Sequence, residues 1–158
     1  MAERAGIAER TLFGHFADLE GLYAEATREH QRRVGRLHPS IDPALPLTAR
    51  VERFAAQRGD VLEAMTPLRR AVAGLEPGSP GLRESRSAWT DSSRVDVKAV
   101  FPELTPADGG GDPALLDVTV AVASLAFWEE LRNGLGLDVA GARRVLARAL
   151  RQVLAPDC

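Results

Sequence analysis

Apolar residues recur along this chain at the spacing of α-helices, and the alternation typical of strands is nearly absent. Residues 112–135 are apolar around most of a helix, and the last predicted helix, residues 138–154, pairs an apolar side with an arginine-bearing side. Another helical face begins after residue 46 and consists of Leu47, Val51, Phe54, Ala55, Arg58, Val61, Leu62 and Met65. The pattern predicts an all-α protein.

Capping residues and prolines mark where these helices should begin and end. Asp18 and Asp138 suit N-cap positions, and Ser79 and Asp112 each precede a proline, which is favoured at the first helical position. The pair Thr66–Pro67 predicts a new short helix to about residue 75, and the helix after Ser79 should reach about residue 104. The proline-rich stretch HPSIDPALP divides the chain into residues 1–37 and residues 38–158.

The first part carries a helix-turn-helix pattern. Two short helical stretches, residues 2–5 and 8–15, meet at Gly6 in the sequence AERAGIAERTLFGHF, and a tight glycine-containing turn between short helices is typical of this motif. In a DNA-binding version, the outer face of residues 8–15 enters the major groove. Its groove-facing residues would be Ala8, Glu9 and Arg10, with Thr11, Gly14 and His15 nearby. The alternative is a pair of core helices joined by an incidental turn.

The longer string AERAGIAERTLFGHFADLEGLYAEA resembles the helix-turn-helix of the TetR family of one-component transcriptional repressors. The resemblance covers about the first 25 residues, and beyond them it is one of architecture only. It implies phosphate contacts by Thr11, Phe13 and His15 and a linking helix after Asp18. It also implies a helical domain that dimerises and binds a small hydrophobic effector, which releases the protein from a pseudo-palindromic operator.

Several residues depart from the family pattern. Phe13 stands where a tyrosine is usual, Leu19 where a lysine is usual, and Gly14 where a basic or polar residue is frequent. The arginines of residues 1–38 are matched in number by acidic residues. Phosphate binding depends on positive charge, so we expect DNA affinity below the family norm.

The family's DNA-binding head also includes a helix upstream of the motif, and this chain starts after that point. A start codon assigned too late would explain this, and we favour that explanation because the motif is intact. A degenerate head would instead leave a headless dimeric ligand- or partner-binding helical protein that no longer binds DNA. This is our alternative function.

The apolar helices of the C-terminal part suit half of a four-helix bundle completed by a second copy. The predicted homodimer interface consists of Val118, Val122, Leu125, Trp128, Leu146, Leu150 and Val153. The alternative is a monomer that buries the same surface internally.

An effector pocket is expected between the middle helices, with a polar group among apolar side chains. The predicted lining consists of Phe54, Leu62, Met65, Arg86, Trp89, Phe101 and Phe127. Val72 is a further apolar candidate, and Ser93 or Ser124 could replace Arg86 as the polar group. Plain core packing is the competing interpretation for each residue singly.

Composition narrows the function further. The net charge of -2 gives no broad attraction to nucleic acid or anionic membrane, so any such binding requires a local patch. A lone cysteine, Cys158, fits a reducing cytoplasm, and no stretch has the length of a membrane span. His15, His30 and His38 lack the spacing of metal ligands, and no catalytic arrangement is evident. We therefore expect a cytoplasmic protein that is not an enzyme and holds no metal or cofactor.

Overall fold

The computed structural model describes residues 21–23, 25–26, 29, 40–74, 76–106 and 109–155. These residues form an all-α fold, without a strand among them, as the sequence predicts. The helices are α1 (Leu47–Ala73), α2 (Pro80–Val100), α3 (Pro113–Val122), α4 (Leu125–Glu129) and α5 (Val139–Leu154). Short 3-10 turns occupy Glu76–Gly78 and Pro102–Leu104, and a π-helical turn, Glu130–Gly134, extends α4.

Helix α1 runs through Pro67, so the predicted break at Thr66–Pro67 is wrong. Proline costs a helix one backbone hydrogen bond, which is why the sequence favoured a new start there. The Thr66 hydroxyl instead donates to the Leu62 carbonyl at 2.8 Å, as in a continuous helix. Met65 and Val72 are buried on either side of Pro67. Packing of both halves of the helix outweighs the lost hydrogen bond.

The predicted N-caps of the later helices are confirmed. The Ser79 hydroxyl accepts from the Leu82 backbone N–H, and the carboxylates of Asp112 and Asp138 accept from backbone N–H groups in the first turns of α3 and α5. Helix α2 ends at Val100 instead of continuing to residue 104. Pro102 cannot donate to a preceding helical carbonyl, and it begins a 3-10 turn instead.

The long apolar segment of residues 112–135 is not one helix. Helix α3 ends at Val122, and Ser124 caps α4 by accepting from the Phe127 backbone N–H at 3.2 Å. At the break, the Ala123 carbonyl accepts from Nε of Arg58 on α1 at 2.8 Å. A side chain from another helix therefore satisfies a backbone group that a continuous helix would have satisfied itself.

The main core lies where α1 and α3 pack against α5, with α2 covering α3. Its fully buried side chains include Val51, Leu62, Val97, Phe101, Trp128, Leu146 and Leu150. Phe54 meets Phe101 edge to face with ring centroids 5.4 Å apart. Arg50 holds the end of α2 to α1 by donating to the Val100 carbonyl and to Glu103, each at 2.8 Å.

A second, smaller cluster joins the N-terminal segment to this body. Residues 21–23 are helical, and Tyr23 is buried with Val72 of α1 and Leu82 of α2, with Leu68 alongside. The segment that follows the predicted helix-turn-helix therefore contacts the ends of α1 and α2.

Candidate functional site

A cavity of about 490 Å³ lies between the C-terminal half of α1, the middle of α2 and the junction of α3 with α4. Its apolar wall consists of short side chains and one leucine: Ala73, Val120, Ala121, Leu125 and Ala126. Trp89 adds the one aromatic surface of the described lining, and Thr90, Ser93 and Ser124 add hydroxyls. The volume is within the range of small-molecule sites.

A buried arginine, Arg58, lies behind Ser93 of this cavity. Arg58 is only 5% exposed, and its Nη2 donates to the Ser93 hydroxyl at 2.5 Å. Its guanidinium also lies over the Trp89 ring, 5.5 Å from the ring centroid. The nearest carboxylate, Asp96, is 3.8 Å away and mostly exposed, so it compensates the charge only loosely. Burial lowers the pKa of Arg58 to about 10, with Asp96 opposing the shift.

Three more arginines line the cavity itself, and each pairs with a glutamate. Arg70 donates to Glu129, which also lines the cavity, at 3.1 Å. Arg69 and Arg86 share the single carboxylate of Glu76, each at 3.1 Å. The side chain of Arg86 is 65% exposed and that of Arg70 is 52% exposed. The mouth is thus rich in guanidinium groups that remain accessible to solvent.

Arg69 connects the cavity to the N-terminal segment. Its Nη1 donates to the Tyr23 hydroxyl at 2.8 Å, and its guanidinium lies 5.9 Å from the centroid of the Tyr23 ring. The Arg69 side chain is only 15% exposed. The Arg69 side chain therefore lines the cavity, pairs with Glu76, and contacts the segment after the predicted helix-turn-helix.

The structure brings only part of the predicted pocket together. Arg86 and Trp89 line the cavity, together with the alternative polar groups Ser93 and Ser124. The other predicted lining residues lie away from it. Phe54, Leu62, Met65 and Phe101 are buried, Val72 belongs to the small cluster with Tyr23, and Phe127 packs against the main core. These side chains fill space between helices, because the largest apolar residues are the ones that close packing requires.

The cavity also contains residues that the sequence analysis missed. Arg69, Arg70 and Glu129 looked like ordinary surface charges, because nothing local distinguishes them. Arg58 did give a signal, since it interrupts an otherwise apolar helical face. An arginine at such a position is buried only if other groups satisfy its donors, and this condition points to a polar site nearby.

The predicted dimer interface needs a correction. Trp128, Leu146 and Leu150 are each at most 1% exposed within a single chain, so a partner could not reach them without unpacking the core. Trp128 is further held by Glu63, which accepts from its indole N–H at 3.0 Å. Val118 is 47% exposed, and Val122, Leu125 and Val153 are partly exposed. The most apolar side chains of α4 and α5 therefore pack against helices of the same chain.

The predicted DNA-binding residues, Ala8, Glu9, Arg10, Thr11, Phe13, Gly14 and His15, lie outside the described residues. Within the described ranges, histidine, cysteine, aspartate and glutamate form no group able to hold a metal ion. None of the helices described has the length and apolar character needed to cross a membrane.

Comparison with known proteins adds no relative. The chain matches no protein-family model, no curated protein and no solved structure.

Proposed function

We propose that this protein is a ligand-responsive, DNA-binding transcriptional regulator, most simply a repressor that a small effector releases from its operator. Two features support the proposal: the TetR-like string in residues 2–26 and the cavity in the helical body. The observation that carries it is the position of Arg69, which contacts both the cavity and Tyr23. A ligand at the cavity would therefore act on the segment that leads to the DNA-binding motif.

The physical requirement for release is a difference in ligand affinity between two arrangements of that segment. Arg69 donates to Tyr23 and to Glu76, and its neighbours Tyr23, Val72 and Leu82 form a small cluster separate from the main core. A ligand that draws the guanidinium into the cavity would weaken the contact with Tyr23. Because this cluster is separate from the main core, the segment could shift without unpacking the core.

Operator binding in this proposal requires two copies, because paired recognition helices about 34 Å apart read a pseudo-palindrome. Because Trp128, Leu146 and Leu150 lie in the core, a partner that packs on α3 and α5 would contact the outer side of these helices. Val118 on α3 and Val145 on α5 are exposed there. We propose that this outer side forms the homodimer interface.

A gel-shift titration tests the regulator directly. The protein, expressed from its whole open reading frame, is titrated against the DNA flanking its gene at a stated salt concentration, since affinity depends steeply on salt. We expect a salt-sensitive, sequence-specific complex that Arg10→Ala and His15→Ala weaken, with Arg53→Ala, at an exposed position of α1, as a matched control that changes little. Unchanged affinity in the first two variants would refute the assignment of residues 8–15.

The headless protein remains the second candidate, and the balanced charge of residues 1–38 favours it. The same titration separates the two functions. Absence of any specific complex, with ligand binding retained, would favour the headless form.

A further inference from the structure

We propose that the cavity binds a monoanion, specifically a carboxylate attached to a flat apolar body. This inference deepens the proposed function by giving the class of its effector, and only the biological role of the ligand rests on that function. The binding itself is argued from the charges and surfaces of the cavity.

The charges at the cavity do not cancel. Among the described residues that line it or pair with its lining, the guanidinium groups are those of Arg58, Arg69, Arg70 and Arg86. The carboxylates are those of Glu76, Asp96 and Glu129. Glu63 also interacts with Arg70, but its charge is balanced by its own partner, Arg132. One positive charge is left over, and a bound monoanion would balance it. A hydrophobic ligand without a charge would leave that positive charge uncompensated and would displace part of the water that solvates it.

The accessible arginines also have donors to spare. Within the described chain, the guanidinium of Arg86 makes one hydrogen bond, to Glu76, and that of Arg70 makes one, to Glu129. A guanidinium carries several N–H donors in a planar fork, which suits the two oxygens of a carboxylate. Both side chains are at least half exposed, so they can turn towards a ligand without breaking the core.

The floor of the cavity adds to the attraction. The Arg58 guanidinium is buried beneath Ser93, where a low dielectric strengthens its effect on a charge in the cavity. Its counter-ion Asp96 lies 3.8 Å away with a side chain that is 57% exposed, so it offsets the charge of Arg58 only in part. The electrostatic potential at the floor of the cavity is therefore positive.

The apolar wall of the cavity favours a ligand with an apolar body. Val120, Ala121, Leu125 and Ala126 present short aliphatic side chains, and the partly exposed ring of Trp89 offers an aromatic surface. A planar ring system can lie against Trp89 while its carboxylate reaches the arginines at the mouth. The volume of about 490 Å³ accommodates a bicyclic ring with room for water.

Isothermal titration calorimetry with two matched probes tests the proposal. Naphthalene-2-carboxylate and naphthalene-2-carboxamide have nearly the same shape and differ in charge. We expect the carboxylate to bind at least about tenfold more tightly than the carboxamide, a factor typical of a charge-assisted pair. Binding should also weaken as salt is raised. Equal affinities for the two probes, or no binding of either, would overturn the proposal.

Variants locate the site. Arg86→Gln and Arg70→Gln should each lower carboxylate affinity by about fivefold or more and leave carboxamide affinity nearly unchanged. Both positions are exposed enough for the fold to survive, which circular dichroism checks. Arg144→Gln, on the exposed side of α5, is the matched control and should change neither affinity. A carboxylate preference that survives both cavity variants would refute the assignment.

The outcome is independent of DNA binding. Calorimetry that succeeds while the gel shift fails would remove the regulator and keep the anion site. A specific DNA complex without carboxylate binding would keep the regulator and remove this inference.

Discussion

Replacement of Leu146 by alanine distinguishes a residue of the protomer core from a residue of a dimer interface. Leu146 is fully buried within one chain, on the side of α5 that packs against α1 and α3. The substitution removes about three methylene equivalents, each contributing about 0.8 kcal/mol. A residual cavity of about 50 Å³ would add about 1 kcal/mol at the known cost per unit volume. We therefore expect a loss of about 3 to 4 kcal/mol in the free energy of unfolding.

The assay is equilibrium urea denaturation at several protein concentrations, followed by far-UV circular dichroism. If Leu146 belongs to the core of each protomer, the loss relative to wild type is the same at every concentration. If it belonged to an interface, the loss would appear as weakened association and would vary with concentration. Val145→Ala is the matched control, because Val145 is the next residue of α5 and is 37% exposed. It should cost less than about 1 kcal/mol in unfolding.

The opposite result would refute the placement of Leu146 in the protomer core. If Leu146→Ala costs less than about 1 kcal/mol of protomer stability but converts a dimer to a monomer in sedimentation, Leu146 lies at an interface. The packing of α5 described above would then be wrong. If Val145→Ala alone weakens association, the outer side of α5 gains support as the dimer interface.

Four further substitutions, in three tests, are read out by urea or thermal denaturation. Glu63→Gln should cost about 1 kcal/mol near pH 6, because Glu63 accepts two hydrogen bonds from Arg132 and is partly exposed. These bonds lower the pKa of Glu63 below its ordinary 4.5, so its stabilisation is complete above that value and is lost as pH falls through the folded pKa. A difference from wild type that does not shrink as pH falls below 4.5 would contradict this. Gly136→Ala should cost about 1 kcal/mol, because the φ of Gly136 is +66°. Gly74→Ala should instead stabilise the protein by about 0.5 kcal/mol, because Gly74 has a φ of −70° and open space around it. Equal effects of the two substitutions would refute the backbone argument. Asp138→Ala should cost about 1 kcal/mol through loss of the α5 N-cap, and a neutral result would show that the hydrogen bond to Gly141 contributes little.

Local signals in the sequence were sufficient to predict much of the arrangement of helices along the chain. Ser79, Asp112 and Asp138 cap helices where the sequence predicts, because an N-cap acts on backbone groups within its own first turn. The amphipathic pattern of residues 139–154 also becomes the predicted helix, with its apolar side against the core. Such features can be predicted without knowing which residues pack against them.

Long-range contacts account for the failures. The helix through Pro67 holds because side chains on both sides of it are buried, and the break at Ala123 coincides with a carbonyl that accepts from Arg58, distant in sequence. The candidate pocket fails in the same way. The sequence pattern predicts Phe54 and Phe101 at a ligand, but these rings pack against each other in the core. A large apolar residue looks the same in sequence whether it meets a ligand or another helix.

The sequence by itself determined the helical class, most helix starts, and the TetR-like string on which the proposed DNA binding depends. Only the tertiary structure decided that Arg69, Arg70 and Arg86 meet at one cavity, that Arg58 lies behind Ser93 of its lining, and that Tyr23 contacts Arg69. The physical reason is the range of the interactions. Helix caps and helical periodicity act over a few residues, whereas the charge and shape of a cavity depend on which side chains the packing of distant helices brings together.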